Sequence, residues 1–487
     1  MKKLLFITAI MFATIIQAKN KPTEYVIAAS ETVRNDLQWM TVVHELQKIH
    51  PLAVVINYQN SLKELLPSLQ ELRPRYLCVI DKPENINRDF VIEGNRMSRT
   101  IDDDMYDDYI WGIISGYSPE DALRIIRQSE QPFVIKSALS SITEVSSGEW
   151  FDKFAWIDDH VKGKWGEKMK PHDTVDIYKT DTLSNLLSIF HKKWEEIDPD
   201  LIVTASHATQ NNLEMPYSVG NVIAKDGQLY AKYKEPEAIA GTNKPRVFLP
   251  IGNCLIADMN STNQSMAAAF LSSGGATSMV GYVVSTWYGR NGWGALKYFL
   301  ANPGKHTLAE AAFLNRQDML TQEYRKDPRI LDVEPDFATF GDGATKDIHP
   351  KLSHLFSEEP SMDDIGFVFD RDVVVYYGDP AWDVRSQHVS DDPGYEFNFE
   401  TTNNQHTVTL TTNDNFSIDK ASGKGFKEEH VKDIPLAYFF PERIFNPSVD
   451  ENKSNLDIAF DENFLLIYNQ NIEPNKTYRI VFDKVDK

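Results

Sequence analysis

The sequence RVFLPIGNCLIAD, at residues 246–258, places a cysteine directly after a short apolar run. Val247–Ile251 is largely apolar and predicts a buried strand, and Gly252 with Asn253 predicts its end. Cys254 therefore follows the carboxyl end of a strand, where open α/β sheets gather ligands and reacting groups. This position makes Cys254 a candidate nucleophile.

A second stretch of the same design lies upstream, where LIVTAS at residues 201–206 ends on His207. A thiol and an imidazole can act as nucleophile and general base, and backbone N–H groups stabilise the oxyanion that forms. The N–H groups of Ala208 and Cys254 follow the two strand ends and are candidate donors. The simpler interpretation is that His207 is a core histidine and Cys254 a buried small side chain. Spacing alone leaves both interpretations open.

Apolar runs and helical spacing alternate along most of the chain. Strands predicted at 25–30, 53–57 and 76–81, with helices between them, indicate a parallel sheet with covering helices. A second α/β unit carries the histidine and the cysteine on its strands, with a polar loop predicted between them as a cover for the site. From about residue 394 apolar and polar residues alternate, and no helical run intervenes, which predicts a separable antiparallel β-sandwich. The predicted division is 19–140 and 141–390 for the two α/β subdomains and 391–487 for the sandwich.

The chain has 487 residues, a length that predicts two or three domains. Its 50 basic and 71 acidic side chains give a net charge of −21. Such a charge argues against nucleic acid and anionic membrane surfaces as partners.

The first 18 residues have the features of a secretory signal peptide: Lys2 and Lys3, then an apolar run, then Ala18. We therefore expect an exported protein that is periplasmic, displayed on the cell surface or secreted. The uncharged segment 259–289 is interrupted by SSGG, so no transmembrane segment is predicted in the mature chain. Only Cys78 and Cys254 occur, which allows one disulfide at most.

No residue spacing typical of a structural zinc site stands out. An acidic run predicts a solvated loop in preference to a Ca²⁺ site, and it contains Asp102, Asp103, Asp104, Asp107 and Asp108. Metal ligands are therefore left unassigned, and calcium stays open as a structural ion. The predicted Cys–His chemistry requires no cofactor.

Over most of residues 25–385 the sequence resembles the gingipain family of caspase-like cysteine peptidases. The resemblance lies in the order and spacing of LRPRYLCVID, the acidic loop and its following helix, LIVTASHAT, VFLPIGNCLIAD, GGATSMVGYVVST and YYGDPAWDVR. The family commonly carries an immunoglobulin-like domain after the catalytic unit. The resemblance thus implies an α/β fold of two caspase-like subdomains with parallel sheets and flanking helices, followed by a C-terminal immunoglobulin-like β-sandwich.

The resemblance also implies roles for the two central residues, with His207 as the base and Cys254 as the nucleophile. The family usually has Gly after the histidine, whereas this chain has Ala208, whose methyl group would crowd a substrate at the oxyanion site. This departure puts the activity in doubt.

Two further assignments follow from the resemblance alone. The family often orients the histidine with an acid from a neighbouring strand end, and Asp158 or Asp159 is the positional candidate, with a surface turn as the alternative. Trp287 or Trp293 is implied as an aromatic roof over the substrate pocket, with a position in the core as the alternative.

These observations predict an exported cysteine endopeptidase that hydrolyses protein or peptide substrates through a Cys–His dyad and a thioester intermediate. The alternative is a catalytically inactive gingipain-like protein with a binding or adhesion role. Ala208 favours that alternative, and the presence of both His207 and Cys254 opposes it. A glycan or nucleotide enzyme is not supported, because neither paired carboxylates nor a glycine-rich phosphate loop is evident.

Overall fold

The structure is a computed structural model. It describes residues 23–143, 151–259, 262–301, 303–387, 392–402, 405–423, 431, 434–449, 455–468 and 471–483. The predicted signal peptide at residues 1–18 lies outside the described residues.

A twelve-stranded sheet forms the centre of the molecule. Its strands, in chain order, are β1 (Tyr25–Ser30), β2 (Val54–Tyr58), β3 (Tyr76–Ile80), β4 (Ile110–Ile114), β5 (Ser137–Ser140), β6 (Lys153–Ile157), β7 (Lys164–Lys168), β8 (Asp176–Lys179), β9 (Leu201–Val203), β10 (Val247–Leu249), β11 (Ser278–Tyr282) and β12 (Val374–Tyr377). Across the sheet they follow the order β2-β1-β3-β4-β12-β11-β10-β9-β5-β6-β7-β8. The sequence predicted β1, β2, β3, β9 and β10 from apolar runs, and β1, β9 and β10 are buried along their whole length.

The sheet contains two parallel groups of five strands joined by an antiparallel contact, and the edge strands β7 and β8 add to the second group in antiparallel register. Strands β2, β1, β3, β4 and β12 are parallel, and so are β11, β10, β9, β5 and β6. The two groups join where β11 pairs with β12 in antiparallel register. This arrangement confirms the predicted α/β class with parallel sheets in two units. The predicted boundary after residue 140 falls within the second group, because β5 pairs with β9.

Helices cover both faces of the sheet. They are α1 (Glu31–Arg34), α2 (Leu37–Ile49), α3 (Leu66–Leu72), α4 (Arg88–Met97), α5 (Pro119–Ser129), α6 (Asn185–Ile197), α7 (Met266–Leu271), α8 (Arg290–Leu300), α9 (Leu308–Lys326), α10 (Phe337–Phe340), α11 (Thr345–Ser353), α12 (Met362–Asp370) and α13 (Ile418–Ala421). Short 3₁₀ turns lie at Leu62–Leu65, Pro83–Asn85, Pro216–Ser218, Thr262–Gln264, Pro328–Asp332 and Gly341–Gly343. None of these helices combines the length and apolar character that a membrane span requires, over the residues that the structure describes.

Local sequence signals explain where two of the helices begin. Ser118 and Asp121 form a capping box at the start of α5, with Pro119 in the first turn. The helical run before β3 is divided next to Pro67, into a 3₁₀ turn at Leu62–Leu65 and the helix α3. Pro67 lies in the first turn of α3, where its missing N–H costs no hydrogen bond.

The segment between the histidine and the cysteine is not the polar loop that the sequence predicted. It contains a five-stranded antiparallel sheet, formed by Ala208–Thr209, Asn212–Glu214, Asn221–Lys225, Gln228–Ala231 and Glu237–Ala238. Alternate residues of its two longest strands are buried, among them Val222 and Leu229. This alternation fixes one face of the small sheet against the body of the protein.

The C-terminal region contains two three-stranded antiparallel sheets, in agreement with the predicted β-sandwich. One holds Tyr395–Thr401, Gln405–Thr412 and Thr477–Asp483, and the other holds Leu436–Phe439, Ile458–Asp461 and Phe464–Ile467. The expectation that no helix intervenes was wrong, since α13 lies between the second and third strands of this region.

The sandwich also packs against the α/β unit more extensively than the sequence suggested. Phe464 and Leu466 are fully buried and belong to the same apolar cluster as the central sheet. Glu462 forms ion pairs with Arg73 of the α/β unit, at 2.7 Å, and with Arg443. Removal of the sandwich would therefore expose part of this apolar cluster.

Candidate active site

Strands β9 and β10 bring the two candidate catalytic residues to the same edge of the sheet. The strands are parallel neighbours, with Leu201 opposite Val247 and Val203 opposite Leu249. The Thr204 N–H continues this pairing by donating to the Leu249 carbonyl at 3.0 Å. The chain leaves the sheet after both strands at this edge, so the loops that carry His207 and Cys254 start side by side.

Asn253 ties these two loops together. Its Oδ1 accepts a hydrogen bond from the Thr204 hydroxyl at 2.5 Å, and its Nδ2 donates to the Ser206 carbonyl at 2.8 Å. Thr204 and Asn253 are both completely buried. The residue before the cysteine is therefore bonded to the residue before the histidine. Sequence reasoning treated Asn253 only as the end of a strand and missed this role.

Gly252 allows the close approach of the same loops. A Cβ atom at this position would lie 2.7 Å from the Ala205 Cβ and 3.5 Å from the Trp293 Nε1. The first distance is far shorter than a normal carbon–carbon contact. Glycine is therefore required here by the spacing of the loops.

Cys254 lies in a turn, is partly exposed as a residue and forms no disulfide. The next residue, Leu255, has a φ of +59°, which is uncommon for a residue with a side chain. The Leu255 N–H donates to the Val284 carbonyl at 2.9 Å and holds the turn against the end of β11. The Thr286 N–H points at the Cys254 Sγ from 3.3 Å. A backbone N–H directed at sulfur is a favourable partner for a thiolate.

His207 has a fixed backbone and a free ring. Its carbonyl accepts the Glu214 N–H at 2.9 Å, while the residue itself is exposed. Within the described part of the chain, the His207 ring makes no hydrogen bond and no ion pair. The ring and the Cys254 thiol are thus on adjacent loops without the direct hydrogen bond between them. Such bonds are often unmade in the absence of substrate.

The two proposed oxyanion donors have no hydrogen-bond partner among the described residues. The Glu214 to His207 bond flanks the Ala208–Leu213 pair, so that pair is of the non-hydrogen-bonded kind. The Ala208 N–H therefore points away from the neighbouring strand. The Cys254 N–H makes no hydrogen bond to any described residue. Both donors are available to a developing oxyanion.

The candidate acids Asp158 and Asp159 do not contact His207. The Asp158 carboxylate accepts the Val161 N–H at 2.8 Å and pairs with Lys164 at 2.9 Å. Burial alone would raise the pKa of Asp158, but these partners hold that pKa below its usual value. Asp159 accepts the Thr143 N–H at 2.9 Å.

Strand order explains why neither carboxylate contacts His207. Both carboxylates follow β6, and β5 separates β6 from β9. Two strand spacings amount to roughly 10 Å, too far for either side chain to orient the His207 ring. The alternative interpretation, a turn held by its own hydrogen bonds, agrees with the observed contacts.

Trp287 and Trp293 both lie close to the cysteine loop. Trp287 is 40% exposed, follows the residue that contacts the thiol, and packs edge-on against Phe369. Trp293, on α8, has its indole nitrogen beside Gly252. Both positions are compatible with a wall of a substrate pocket, and Trp287 has the more accessible ring.

Asp342 is a neighbour of the site that sequence reasoning did not identify. Its carboxylate accepts the Ser285 N–H at 3.0 Å, next to the residue that contacts the thiol. No local sequence motif predicts this contact. Asp342 lies in a separate turn, more than fifty positions from Ser285 along the chain.

The acidic loop offers no evident metal site. Asp102 pairs with Arg73 at 2.9 Å, and Asp107 pairs with Arg316 at 2.8 Å. Across the described ranges, no group of three or more His, Cys, Asp and Glu side chains could hold a metal ion. Calcium as a structural ion stays a prediction.

Comparison with known proteins gave matches only among solved structures. No protein-family model and no curated protein matches the chain. The crystal structure of the Arg-specific cysteine proteinase gingipain R aligns with 96% of this chain and 92% of its own, at 9% identity and a TM-score of 0.40. A structure described only as a protease aligns with 96% of each chain, at 9% identity and a TM-score of 0.41.

A third structure is the complex of the pro- and mature domains of RgpB from Porphyromonas gingivalis. It aligns with 95% of this chain and 93% of its own, at 8% identity and a TM-score of 0.43. Gingipain is the family that the sequence motifs resemble.

Proposed function

We propose that this chain is an exported cysteine endopeptidase with Cys254 as nucleophile and His207 as general base and acid. The observation that carries the proposal is the Asn253 clamp, which bonds the cysteine loop to the histidine loop through buried hydrogen bonds. Two reacting groups on separate loops need such a connection to keep a constant relative position. The export signal, if functional, would deliver the enzyme to peptides outside the cytoplasm.

The site has the groups that each step of peptide hydrolysis needs. His207 takes the thiol proton, and the Cys254 thiolate attacks the peptide carbonyl. The Ala208 and Cys254 N–H groups donate hydrogen bonds to the oxyanion that forms on the carbonyl oxygen. His207 then gives its proton to the leaving amine, and the C–N bond breaks to leave a thioester. Water, deprotonated by His207, hydrolyses the thioester and frees the thiol.

The second candidate function is binding of a protein or peptide without turnover. The exposed His207 ring, without an orienting partner in the described residues, favours this candidate, as does the methyl group of Ala208. The chemistry of the first candidate needs no cofactor, and calcium would act only as a structural ion. Neither candidate involves nucleic acid, given the net charge of −21.

Labelling with a thiol-reactive peptide probe tests the proposal. The probe should label the wild-type chain and the Cys78→Ala variant, and it should not label Cys254→Ala. Cys78 is the matched control because it is fully buried and burial raises its pKa well above the usual value, so it should be inert. Cleavage of a peptide library should follow the labelling pattern. Labelling that depends on Cys78, or a wild-type chain inert to all probes, would favour the binding function.

A further inference from the structure

A cavity of about 850 Å³ lies between the α/β unit and the C-terminal sandwich. Arg75, Lys305 and His306 line it from the α/β side, and Phe397 and Tyr438 line it from the sandwich. None of its lining residues belongs to the loops of His207 and Cys254. The volume is in the range of small-molecule sites in proteins.

Lys305 presents an amine to this cavity without an acidic partner. Among the described residues, its Nζ has no hydrogen bond and no carboxylate within ion-pair distance. The amine lies 3.3 Å from the centre of the Tyr395 ring, which gives it only a cation–π contact. Burial lowers the pKa of Lys305 to about 7, and Asp392 opposes this shift only in part. Such an amine gains from any anion placed beside it.

Two further nitrogen atoms that line the cavity are buried without partners. His306 is 6% exposed, and its Nδ1 has no hydrogen bond to a described residue. Burial lowers the pKa of His306 to about 3, so its ring is neutral, and Nδ1 is a donor in the tautomer that protonates this atom. The Arg75 Nε is also without a partner, while the terminal nitrogens of this side chain donate to the carbonyls of Phe440 and Pro441. Unpaired buried donors are costly, which favours a ligand that accepts hydrogen bonds.

The acids that line the cavity are occupied or exposed. Glu310 accepts the Thr307 N–H at 2.8 Å, and burial raises its pKa. Asp392 is exposed and accepts the Gly394 N–H at 2.8 Å. The charged and titratable groups around the Lys305 amine are Arg75, His306, Glu310, Arg385, Asp392 and Glu396. None of them pairs with it.

Aromatic rings form the opposite wall. Phe397 stacks on Tyr438 with ring centres 4.7 Å apart, and the Arg75 guanidinium lies 4.4 Å from the centre of the Phe439 ring. We propose that this cavity binds a small carboxylate with an aromatic or aliphatic body. Its carboxylate accepts hydrogen bonds from Lys305 and His306, and its body lies against Phe397 and Tyr438. A free carboxylic acid and the C-terminus of a peptide share this chemistry.

Calorimetric titration of the full chain with two matched pairs of probes tests the proposal. The first pair is 3-phenylpropionate and its primary amide, and the second is N-acetylphenylalanine and its primary amide. Each acid should bind at least tenfold more tightly than its amide, which corresponds to about 1.4 kcal/mol. Tighter binding of the first acid would identify a free acid as the ligand class, and tighter binding of the second would identify a peptide C-terminus.

Variants separate the role of the amine from general effects on the fold. Lys305→Met removes the charge without removing the apolar stem, so it should abolish the preference for acids and leave the melting temperature unchanged or raised. Lys192→Met, at an exposed lysine, is the control and should bind like wild type. Cys254→Ala should also bind like wild type, because the cavity is independent of the proposed peptidase site.

The dependence of affinity on pH provides a readout that a merely structural lysine would not give. A bound carboxylate raises the pKa of Lys305 above its value of about 7 in the free protein. Binding therefore takes up a proton above pH 7, and affinity should fall by up to about tenfold per pH unit there. The proposal is wrong if acids and amides bind equally, if Lys305→Met keeps the preference, or if no probe binds with a Kd of about 1 mM or tighter.

Discussion

Replacement of Asn253 by Ala should show whether this residue positions His207 and Cys254 or only stabilises the fold. The substitution removes the acceptor of the Thr204 hydroxyl and the donor to the Ser206 carbonyl, both inside a buried network. Each buried polar group left unpaired costs roughly 1–3 kcal/mol, so the loss of stability should be about 2–4 kcal/mol. The two loops would also lose their direct connection.

The functional effect should be larger than this stability loss suggests. A displacement of about 1 Å between reacting groups costs on the order of 100-fold in rate. We expect kcat/KM for peptide cleavage, and the rate of probe labelling at Cys254, to fall by about that factor in the folded variant. Denaturant unfolding gives the stability, and labelling is measured well below the unfolding midpoint.

Asn95→Ala is the matched control. Asn95 is 2% exposed and donates to the carbonyls of Asp372 and Val374 at 2.8 and 2.9 Å, away from the site. Its loss should cost a similar amount of stability and leave labelling of the folded protein unchanged. If the two variants lose stability alike and both keep wild-type labelling rates, Asn253 is only structural and the clamp argument is refuted.

Three other changes have definite expected outcomes. Ala208→Gly should raise kcat/KM on small peptides if the methyl group crowds the oxyanion site, with a stability loss of about 0.5–1 kcal/mol seen in thermal unfolding. Truncation after Arg385 should lower solubility and melting temperature, because it exposes core that Phe464 covers; a soluble, equally stable fragment would contradict this. Asp108→Asn should stabilise the protein relative to wild type, by an amount that grows from pH 4 to pH 9. Burial and Asp102 raise the pKa of Asp108 to about 9 in the folded protein, so the wild type loses folding stability over this range as the pH rises, and the uncharged Asn does not. Equal melting shifts at both pH values would refute that assignment.

The sequence predicts best what depends on neighbouring residues along the chain. The strands that carry His207 and Cys254 were located because a fully buried parallel strand is a continuous apolar run. The capping box at Ser118 was visible for the same reason, since its partners are three residues apart. The distance of Asp158 and Asp159 from His207 was not visible, because strand order in the sheet differs from order in the chain and β5 separates β6 from β9.

The contacts that define the site were less visible. Asn253 joins residues nearly fifty positions apart, and a lone Asn after a strand resembles an ordinary turn residue. Asp342 reaches Ser285 from a different turn altogether. The small sheet over residues 208–238 was hidden because its exposed face is polar, which makes short alternating strands look like a loop. Each of these features depends on tertiary contacts that no local pattern encodes.

The clamp also bears on the choice between an enzyme and an inactive binding protein. A pair of apolar side chains of similar shape could replace a buried hydrogen-bonded pair at little or no cost in stability. The fold alone therefore does not require an amide and a hydroxyl between β9 and β10. What the amide adds is a fixed direction and register between two loops, held by hydrogen bonds at 2.5 and 2.8 Å. Rigid register between these loops matters to a reaction between His207 and Cys254, and it matters much less to a surface that only binds. The buried hydrogen bonds of the site therefore lie where a reaction between His207 and Cys254 requires a fixed geometry. The His207 ring itself is held by no described residue, so we expect a bound substrate to set its final orientation.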